Sequence, residues 1–383
     1  MALHFTETEL QSRRVKACEK MQQQGLDGLL MFRQESMYYL TGYDTFGYCF
    51  FQCLYLAADG RRALLTRAPD LRQAQHTSDI DDIRVWVDKA GHNPAEQLRD
   101  MLAEFGCKDS QLGIEYEAYG LTAANGKRVD AALDGFCTLT DESMLVSELR
   151  LVKSAAEIEY TRRAAELADD AFDAALAIAK AGADEGQILA DMHSAVFAGG
   201  GDYSGNEYII GSGPDALLCR YKSGRRTLDG QDQLTLEWAG AYRHYHAAMM
   251  RTVVIGSPTD EHYKMHAVAV DAMNACMQAL RPGDPIGNVF DAHARVADEN
   301  GLRAHRFNAC GYSMGTTFTP TWMDWPMFYT GNPVIAQENM VFFLHMIFVN
   351  SDSGNAMSLG HSVRVSSDGC ECLSRQPLDL PVR

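Results

Sequence analysis

The sequence lacks any long hydrophobic run. No stretch approaches the ~18 uninterrupted apolar residues of a membrane-spanning helix. The longest apolar segment, VFFLHMIFV at 341–349, has the length of a strand and contains a histidine. The N-terminal segment MALHFTETELQSRRVKACEK also lacks the apolar core of a signal peptide. We therefore predict a cytoplasmic protein without a membrane span.

Paired cysteine motifs and nucleotide-binding motifs are missing as well. The ten cysteines are scattered without a CxxC pair, and we expect free thiols in a reducing cytoplasm. The sequence contains neither a Walker loop nor a dinucleotide fingerprint. GYSMG at 311–315 has the GxSxG spacing, but we do not expect it to form a nucleophile elbow. We predict no cofactor.

Basic residues are scarce relative to acidic ones. The chain contains 34 Lys and Arg against 51 Asp and Glu, a formal net charge of −17. Nucleic acid and anionic membrane surfaces repel such a chain. We therefore expect neither of them as a partner.

The 383 residues are too many for one small core and favour two domains. Residues 1–147 alternate short strands with helical stretches and predict an α/β domain. From residue 148 the sequence becomes strongly helical up to Gly182. Strands follow, and helices return at 261–281 and 286–300, so residues 148–383 predict an α+β domain.

The segment LTLEWAGAYRHYHAAMMRT at 234–252 is typical of two strands, with a turn predicted around Gly240 and the second strand ending at Arg251. Strand alternation places Glu237 on one face with Thr235 and Ala239. A carboxylate there either faces solvent at an edge or is buried with a raised pKa, as an acid, base or nucleophile.

Several histidines are candidates for site residues or for satisfied core residues. His244 and His246, two apart in the second predicted strand, have a spacing that can ligate one ion but is common by chance. His345 interrupts the apolar segment at 341–349, and His361 lies in the similar segment MSLGHSVRV. A buried imidazole needs partners for both ring nitrogens in either role.

A group of cations follows the sequence GSGP and is unusual in so acidic a chain. It consists of Arg220, Lys222, Arg225 and Arg226. These side chains either bind a carboxylate or form a solvated charge run.

Motifs along nearly the whole chain resemble the creatinase/aminopeptidase P family of pita-bread hydrolases. They are ELRLVKSAAEIEYTRRAAELAD, GSGPDALLCRY, DQLTLEWAGAYRHYHAAMMRTVVIG, RPGDPIGNVF, GYSMG, NMVFFLHMIF and HSVRVSSDGCECLS. Within the family, YLTGYD, AGAYRHYH and GYSMG are most similar to ectoine hydrolase, and creatinase is a more distant match. The resemblance implies an N-terminal creatinase-type α/β domain over 1–147, a C-terminal pita-bread domain over 148–383, and a homodimer.

Metallopeptidases of this family bind two metal ions through two Asp, one His and two Glu. The corresponding positions here are Glu237, Ala248, Tyr312, His345 and Gly360, the last with His361 beside it. Because Ala, Tyr and Gly cannot supply the missing carboxylate and imidazole ligands, we expect no site of the family type and no metal. The family's histidine after the SGP loop falls on Arg220, and arginine cannot serve as a base.

The resemblance and the residues together predict a metal-independent hydrolase that acts on a C–N bond of a small non-peptide molecule, an ectoine-like cyclic amidine or a creatine-like substrate. Glu237 would activate water or attack the carbon directly. The predicted catalytic residues are Glu237, His246, His345 and His361. The predicted substrate-binding residues are Arg220, Tyr242, Tyr312 and, from the first domain, Glu115.

Two alternatives remain open at this point. One is a hydrolase like the Xaa-Pro peptidases, with a single metal ion in a rebuilt site made of Glu237, His246, His345 and His361. The other is a non-catalytic member of the fold that binds a small molecule.

Overall fold

The computed structural model describes residues 3–220 and 225–383, so Lys222 lies outside the described residues. The chain divides into two compact units, Met1–Arg150 and Leu151–Arg383, close to the boundary predicted between residues 147 and 148. None of the helices in the described ranges has the length and apolar character needed to cross a membrane.

The N-terminal unit is built around a six-stranded sheet in the order β4-β3-β2-β1-β5-β6. Its strands are β1 (Gly28–Met31), β2 (Cys53–Ala57), β3 (Arg62–Arg67), β4 (Ile83–Trp86), β5 (Gln111–Ile114) and β6 (Thr138–Asp141). Its helices are α1 (Glu7–Gln23), α2 (Gln34–Thr41), α3 (Leu71–Thr77), α4 (Pro94–Glu104), α5 (Ala123–Leu133) and α6 (Leu145–Leu149).

Both faces of this sheet are buried. Leu30 of β1 packs in a core with Leu98 of α4 and Val129 of α5, whereas its neighbour Leu29 packs in a second core with Met21 of α1. Successive side chains of a strand point to opposite faces, so β1 is apolar on both sides, as expected for a strand covered by helices.

The C-terminal unit contains an eight-stranded sheet with β11-β10-β12-β13-β9-β8-β7 in order and β14 paired with β13. Its strands are β7 (Ile209–Ser212), β8 (Asp232–Tyr242), β9 (Tyr245–Ile255), β10 (Gly311–Ser313), β11 (Asp324–Met327), β12 (Val341–Asn350), β13 (Asn355–Val365) and β14 (Cys370–Cys372). Its helices are α7 (Ala155–Ile178), α8 (Glu185–Ala198), α9 (Asp260–Ala279) and α10 (Gly287–Glu299), and a 3-10 turn spans Gly213–Leu217.

The helix predicted to run continuously from residue 148 is interrupted. Helix α6 ends at Leu149, and α7 begins at Ala155 with Ser154 as its N-cap. The Ser154 hydroxyl accepts from the Glu157 N–H at 3.3 Å, and the Glu157 carboxylate accepts from the Ser154 N–H at 2.8 Å. This capping box satisfies two N–H groups at the start of a helix and therefore fixes the start of α7.

The turn predicted around Gly240 is wrong. Strands β8 and β9 are joined at Arg243 and His244, which have φ angles of 50° and 63°, so His244 lies in the turn and β9 continues past the predicted end to Ile255. Gly240 remains in β8 because it packs against α7. A Cβ atom on Gly240 would lie 2.0 Å from the Ala164 carbonyl oxygen.

The register of β8, β9 and β13 defines two faces of the C-terminal sheet. Trp238 points toward α7, since its indole N–H donates to the Ala168 carbonyl at 2.8 Å. Glu237 therefore points away from the helices, and Met250 and Gly360 lie next to it on the same face. We call the face with Glu237, Met250 and Gly360 the inner face, and the face with Trp238 the helix face.

Gly240→Ala should destabilise the protein by about 3 kcal/mol or more, because the added methyl group overlaps a helix backbone that cannot move away freely. Urea unfolding followed by circular dichroism would measure this. The matched control is Gly230→Ala, whose Cβ meets nothing within 4 Å and should change the free energy of unfolding by less than ~0.5 kcal/mol. Equal effects of the two substitutions would contradict the packing role of Gly240.

Candidate active site

Glu237 lies in the middle of the sheet. It pairs with Ile209 of β7 and Met250 of β9, and its side chain is 8% exposed. Two residues before it, the Thr235 hydroxyl donates to the Ala216 carbonyl at 2.9 Å, which holds the 3-10 turn over this end of the inner face. Desolvation raises the pKa of Glu237 to about 7, although Arg220 and Tyr312 act in the opposite direction. The carboxyl group can therefore exchange a proton near neutral pH.

Tyr312 of β10 provides the hydrogen-bond donor to this carboxyl group. Its hydroxyl donates to Glu237 Oε1 at 3.4 Å and accepts from the indole N–H of Trp322 at 2.8 Å. Burial and the neighbouring Glu237 raise the pKa of the Tyr312 phenol well above its ordinary value. The phenol therefore stays protonated and acts as a donor.

His345 of β12 lies opposite Gly360 and faces Tyr312. Its ring centroid is 5.7 Å from that of Tyr312 and 5.5 Å from that of Phe343. Desolvation lowers the pKa of His345 to about 3, so the imidazole is neutral at physiological pH. Within residues 3–220 and 225–383, its Nδ1 atom is buried and has no hydrogen-bond partner.

Arg220 lies on the exposed loop that follows the 3-10 turn. Its positive charge lowers the pKa values of both Glu237 and His345. Arg220 therefore interacts electrostatically with both Glu237 and His345 on the inner face. The neighbouring cation Arg226 is engaged elsewhere, since its guanidinium donates to the Ser212 hydroxyl at 2.8 Å and to Asp229 at 3.0 Å.

His246, predicted as catalytic, has both ring nitrogens occupied. Nε2 accepts from the Gly205 N–H at 2.9 Å, so the proton of the neutral ring is on Nδ1, which bonds to the Thr317 hydroxyl at 3.1 Å. Desolvation lowers the pKa of His246 to about 3. The structure places His246 as a satisfied core histidine and not as a free base.

His361, also predicted as catalytic, lies on the helix face. It pairs with Met249 and Leu344, one residue out of phase with Gly360 and His345. Its Nε2 accepts from the Arg251 guanidinium at 2.7 Å, because arginine can only donate. The sheet therefore separates His361 from Glu237, which corrects the predicted role.

Two further residues predicted to bind substrate, Tyr242 and Glu115, have other contacts in the structure. Tyr242 is on the helix face, where its ring packs edge-on against Tyr160 of α7 at 5.7 Å. The Glu115 carboxylate in the N-terminal unit is fully buried and accepts from the Phe32 N–H at 2.9 Å and the Arg33 N–H at 2.8 Å, at the start of α2. Its bonds satisfy the N-terminus of a helix, which gives the carboxylate a structural role.

The site contains two residues that the sequence did not single out. Trp322 was one aromatic residue in the loop TPTWMDWPMFYTGNP, and Phe343 was part of an apolar strand. Phe343 fills space next to Gly360, where a Cβ atom would lie 2.6 Å from its ring. The parity of Phe343 with His345 was the signal that could have placed it on the inner face.

The residues present do not fit the two-metal site that the resemblance implies. Ala248 and Gly360 carry no ligand atom, and the ring of Phe343 occupies the space that a side chain at 360 would need. Among the residues that the structure describes, no three His, Cys, Asp or Glu side chains are grouped as metal ligands. The rebuilt single-ion site is also incomplete, because His361 is on the other face and His246 is already bonded.

Comparison with known proteins places the chain within one family. Residues 159–367 match the family described as Metallopeptidase family M24, and residues 13–152 match the Creatinase/Prolidase N-terminal domain. The ectoine hydrolase of Halomonas elongata is 26% identical over 402 aligned positions, covering 100% of this chain and 99% of that protein. An uncharacterized hydrolase/peptidase of Sinorhizobium fredii is also 26% identical, with the same coverage.

Solved structures confirm the predicted fold. The chain superposes on a prolidase from Thermococcus sibiricus with a TM-score of 0.88 at 20% identity, covering 99% of this chain and 100% of that one. For an X-Pro aminopeptidase from Thermotoga maritima the TM-score is 0.84 at 20% identity, with 97% and 99% covered. The chain thus has an N-terminal creatinase-type domain followed by a pita-bread domain.

Glu237→Gln should stabilise the protein increasingly as the pH rises from 5 to 8. Because the folded-state pKa is raised from 4.5 to about 7, the contribution of Glu237 to stability is complete below pH 4.5 and is lost as the pH rises through 7. The difference in unfolding free energy between variant and parent should grow by up to about 3 kcal/mol. Urea unfolding followed by tryptophan fluorescence would measure it.

The control for this experiment is Glu371→Gln. The pKa of Glu371 is lowered, chiefly by its hydrogen bond with Arg162, so its removal should not become more favourable as the pH rises. A pH-independent difference between Glu237→Gln and the parent would contradict the raised pKa of Glu237.

Proposed function

Since the chain belongs to metallopeptidase family M24, a family of hydrolases, we propose that it hydrolyses a non-peptide C–N bond of a small molecule and does so without metal ions. An ectoine-like cyclic amidine or a creatine-like compound is the proposed substrate class. The similarity to an ectoine hydrolase over nearly the full length of both chains supports this class.

The observation that carries the proposal is the state of Glu237. It is buried on the inner face, its pKa is raised to about 7, and a phenol that stays protonated donates to it. A general base works best when its pKa is close to the working pH. Because Ala248 and Gly360 supply no atoms that could bind a metal ion, we assign the chemistry to Glu237, with Tyr312 as its hydrogen-bond donor.

In the proposed reaction, the ionised Glu237 carboxylate takes a proton from a water molecule while the water oxygen bonds to the amidine or amide carbon. The same proton then passes from Glu237 to the leaving nitrogen as the C–N bond breaks. One water molecule is consumed, and the carboxylate is regenerated. Tyr312 donates its hydroxyl hydrogen to Glu237 and so orients the carboxylate that takes the water proton.

The neutral imidazole of His345 and the guanidinium of Arg220 complete the proposed site. Among the described residues, His345 Nδ1 has no hydrogen-bond partner. We assign it as a polar contact for the substrate or for the attacking water. Arg220, at the exposed rim, pairs with a substrate carboxylate. These roles suit a small zwitterionic molecule whose anionic end faces outward. The homodimer and the cytoplasmic location remain predictions.

Glu237→Gln should lower kcat/KM by at least about 1,000-fold, because glutamine cannot accept the proton. In the parent, kcat/KM should rise with pH through about 7 as Glu237 ionises. Product formation would be measured over a panel of ectoines, creatine-like amidines, lactams and proline peptides. Glu371→Gln, which removes an ion-paired carboxylate of β14, is the control and should keep parental turnover.

Three outcomes would overturn the proposal. A Glu237→Gln variant as fast as the parent would remove Glu237 from the reaction. Turnover of proline peptides alone would indicate a peptidase. A ligand-induced rise in melting temperature without product from any compound would indicate the non-catalytic binding protein.

Metal removal should leave the activity unchanged. Protein purified without a tag should contain far less than one equivalent of Zn²⁺, Mn²⁺, Co²⁺ or Fe²⁺ by inductively coupled plasma mass spectrometry. Dialysis against a chelator should not reduce turnover, because Glu237 is the one carboxylate among the five positions that correspond to the family's metal ligands. Stoichiometric metal together with loss of activity in the chelator would establish a rebuilt metal site instead.

A further inference from the structure

Trp322 is buried next to Tyr312 and is fixed by contacts with a distant segment. Its side chain is 1% exposed, and its backbone N–H donates to the Asn206 side-chain oxygen at 3.1 Å. The neighbouring Gly205 packs so closely that a Cβ atom on it would lie 2.6 Å from the Thr321 carbonyl oxygen. Two segments distant in sequence therefore fix the position of the indole ring.

His246 also helps to fix the position of Trp322. Its Nε2 atom accepts from the Gly205 N–H at 2.9 Å, and its Nδ1 atom bonds to the Thr317 hydroxyl at 3.1 Å. One imidazole thereby connects the segment that contains Gly205 and Asn206 with the segment that leads to Trp322. His246 thus supports the site through these contacts, without acting on a proton itself.

The direction of the hydrogen bonds follows from the chemistry of the groups. An indole N–H can only donate, so the phenol oxygen of Tyr312 must be the acceptor of the 2.8 Å bond. The phenol hydrogen is then left for Glu237 Oε1, at 3.4 Å. A bond of that length is weak and would not orient a free hydroxyl by itself.

We propose that Trp322 is a positioning residue: its indole N–H fixes the rotation of the Tyr312 hydroxyl and so aims the phenol hydrogen at Glu237. The packing of the Phe343 and His345 rings against Tyr312, at centroid distances of 5.5 and 5.7 Å, fixes the plane of the phenol ring. The indole bond then selects one of the two in-plane directions for the hydrogen. The consequence for catalysis rests on the proposed function, whereas the hydrogen-bond chain does not.

The chain can be observed without any substrate. The protein contains four tryptophans, so a ¹⁵N-labelled sample has four indole N–H resonances, and Trp322→Phe identifies the one from Trp322. Tyr312→Phe should move this resonance upfield by removing the acceptor. Tyr245→Phe, which removes a buried hydroxyl bonded to Glu157 on the helix face, is the control and should leave it in place. An unmoved resonance in Tyr312→Phe would overturn the proposal.

A double-mutant cycle tests the catalytic consequence. Tyr312→Phe should lower kcat about 100-fold, because Glu237 loses the hydrogen bond that orients its carboxylate. Trp322→Phe should lower kcat about tenfold, as loss of one hydrogen bond does, with KM nearly unchanged. The double variant should equal Tyr312→Phe alone, because Trp322 acts through Tyr312. Trp238→Phe, which loses an equivalent indole bond on the helix face, should instead combine multiplicatively with Tyr312→Phe.

Multiplicative effects of Trp322→Phe and Tyr312→Phe would overturn the proposal and leave the proposed function intact. Absence of turnover from every substrate, together with the expected movement of the indole resonance, would overturn the proposed function and leave the hydrogen-bond chain intact. If Trp322→Phe fails to fold, benzothienylalanine at position 322 keeps the bicyclic shape without the N–H and replaces it in both arms.

Discussion

The burial of one carboxyl group in the middle of a strand is the constraint on which the rest of the site depends. Glu237 is surrounded by β7, β9 and the 3-10 turn, which leave little room for water to solvate its charge. Desolvation therefore opposes ionisation, and only Tyr312 and Arg220 act against it. With a pKa close to neutral pH, the buried carboxyl group is ionised in part of the molecules, and this buried charge is unfavourable. That cost is understandable if the group exchanges protons as part of its function.

The C-terminal sheet determines which side chains can act together. A strand presents alternate residues to opposite faces, so residues one position apart are separated by the sheet itself. Glu237, Tyr312 and His345 share the inner face, whereas His361 and Tyr242 contact helix-face partners. His345 and His361 lie in similar apolar strands, but His345 points to the inner face and His361 to the helix face. Only the pairing of β12 with β13 distinguishes them.

Much of the fold and the central carboxylate could be predicted from the sequence, because these features depend on local patterns. Strand alternation placed Glu237 on a face with Thr235 and Ala239, and the helices predicted at 261–281 and 286–300 correspond to α9 and α10. Other features depend on contacts between distant segments. Gly240 was predicted as a turn because its contact with Ala164 is not visible locally, and Trp322 meets Tyr312 only after its loop folds back. Glu115 was predicted to bind substrate, and its bond to the start of α2 joins segments that are 82 residues apart.

The close contact between Gly360 and Phe343 bears on how such a protein can change over evolutionary time. The aromatic ring fills the volume that a side chain at 360 would occupy, and Met250 closes the remaining side at 3.0 Å. A mutation that introduced an acidic residue at 360 would meet a steric barrier, and the variant would lose stability before it gained any metal ligand. An acidic side chain at this position would therefore require a simultaneous change at Phe343 that makes room for it.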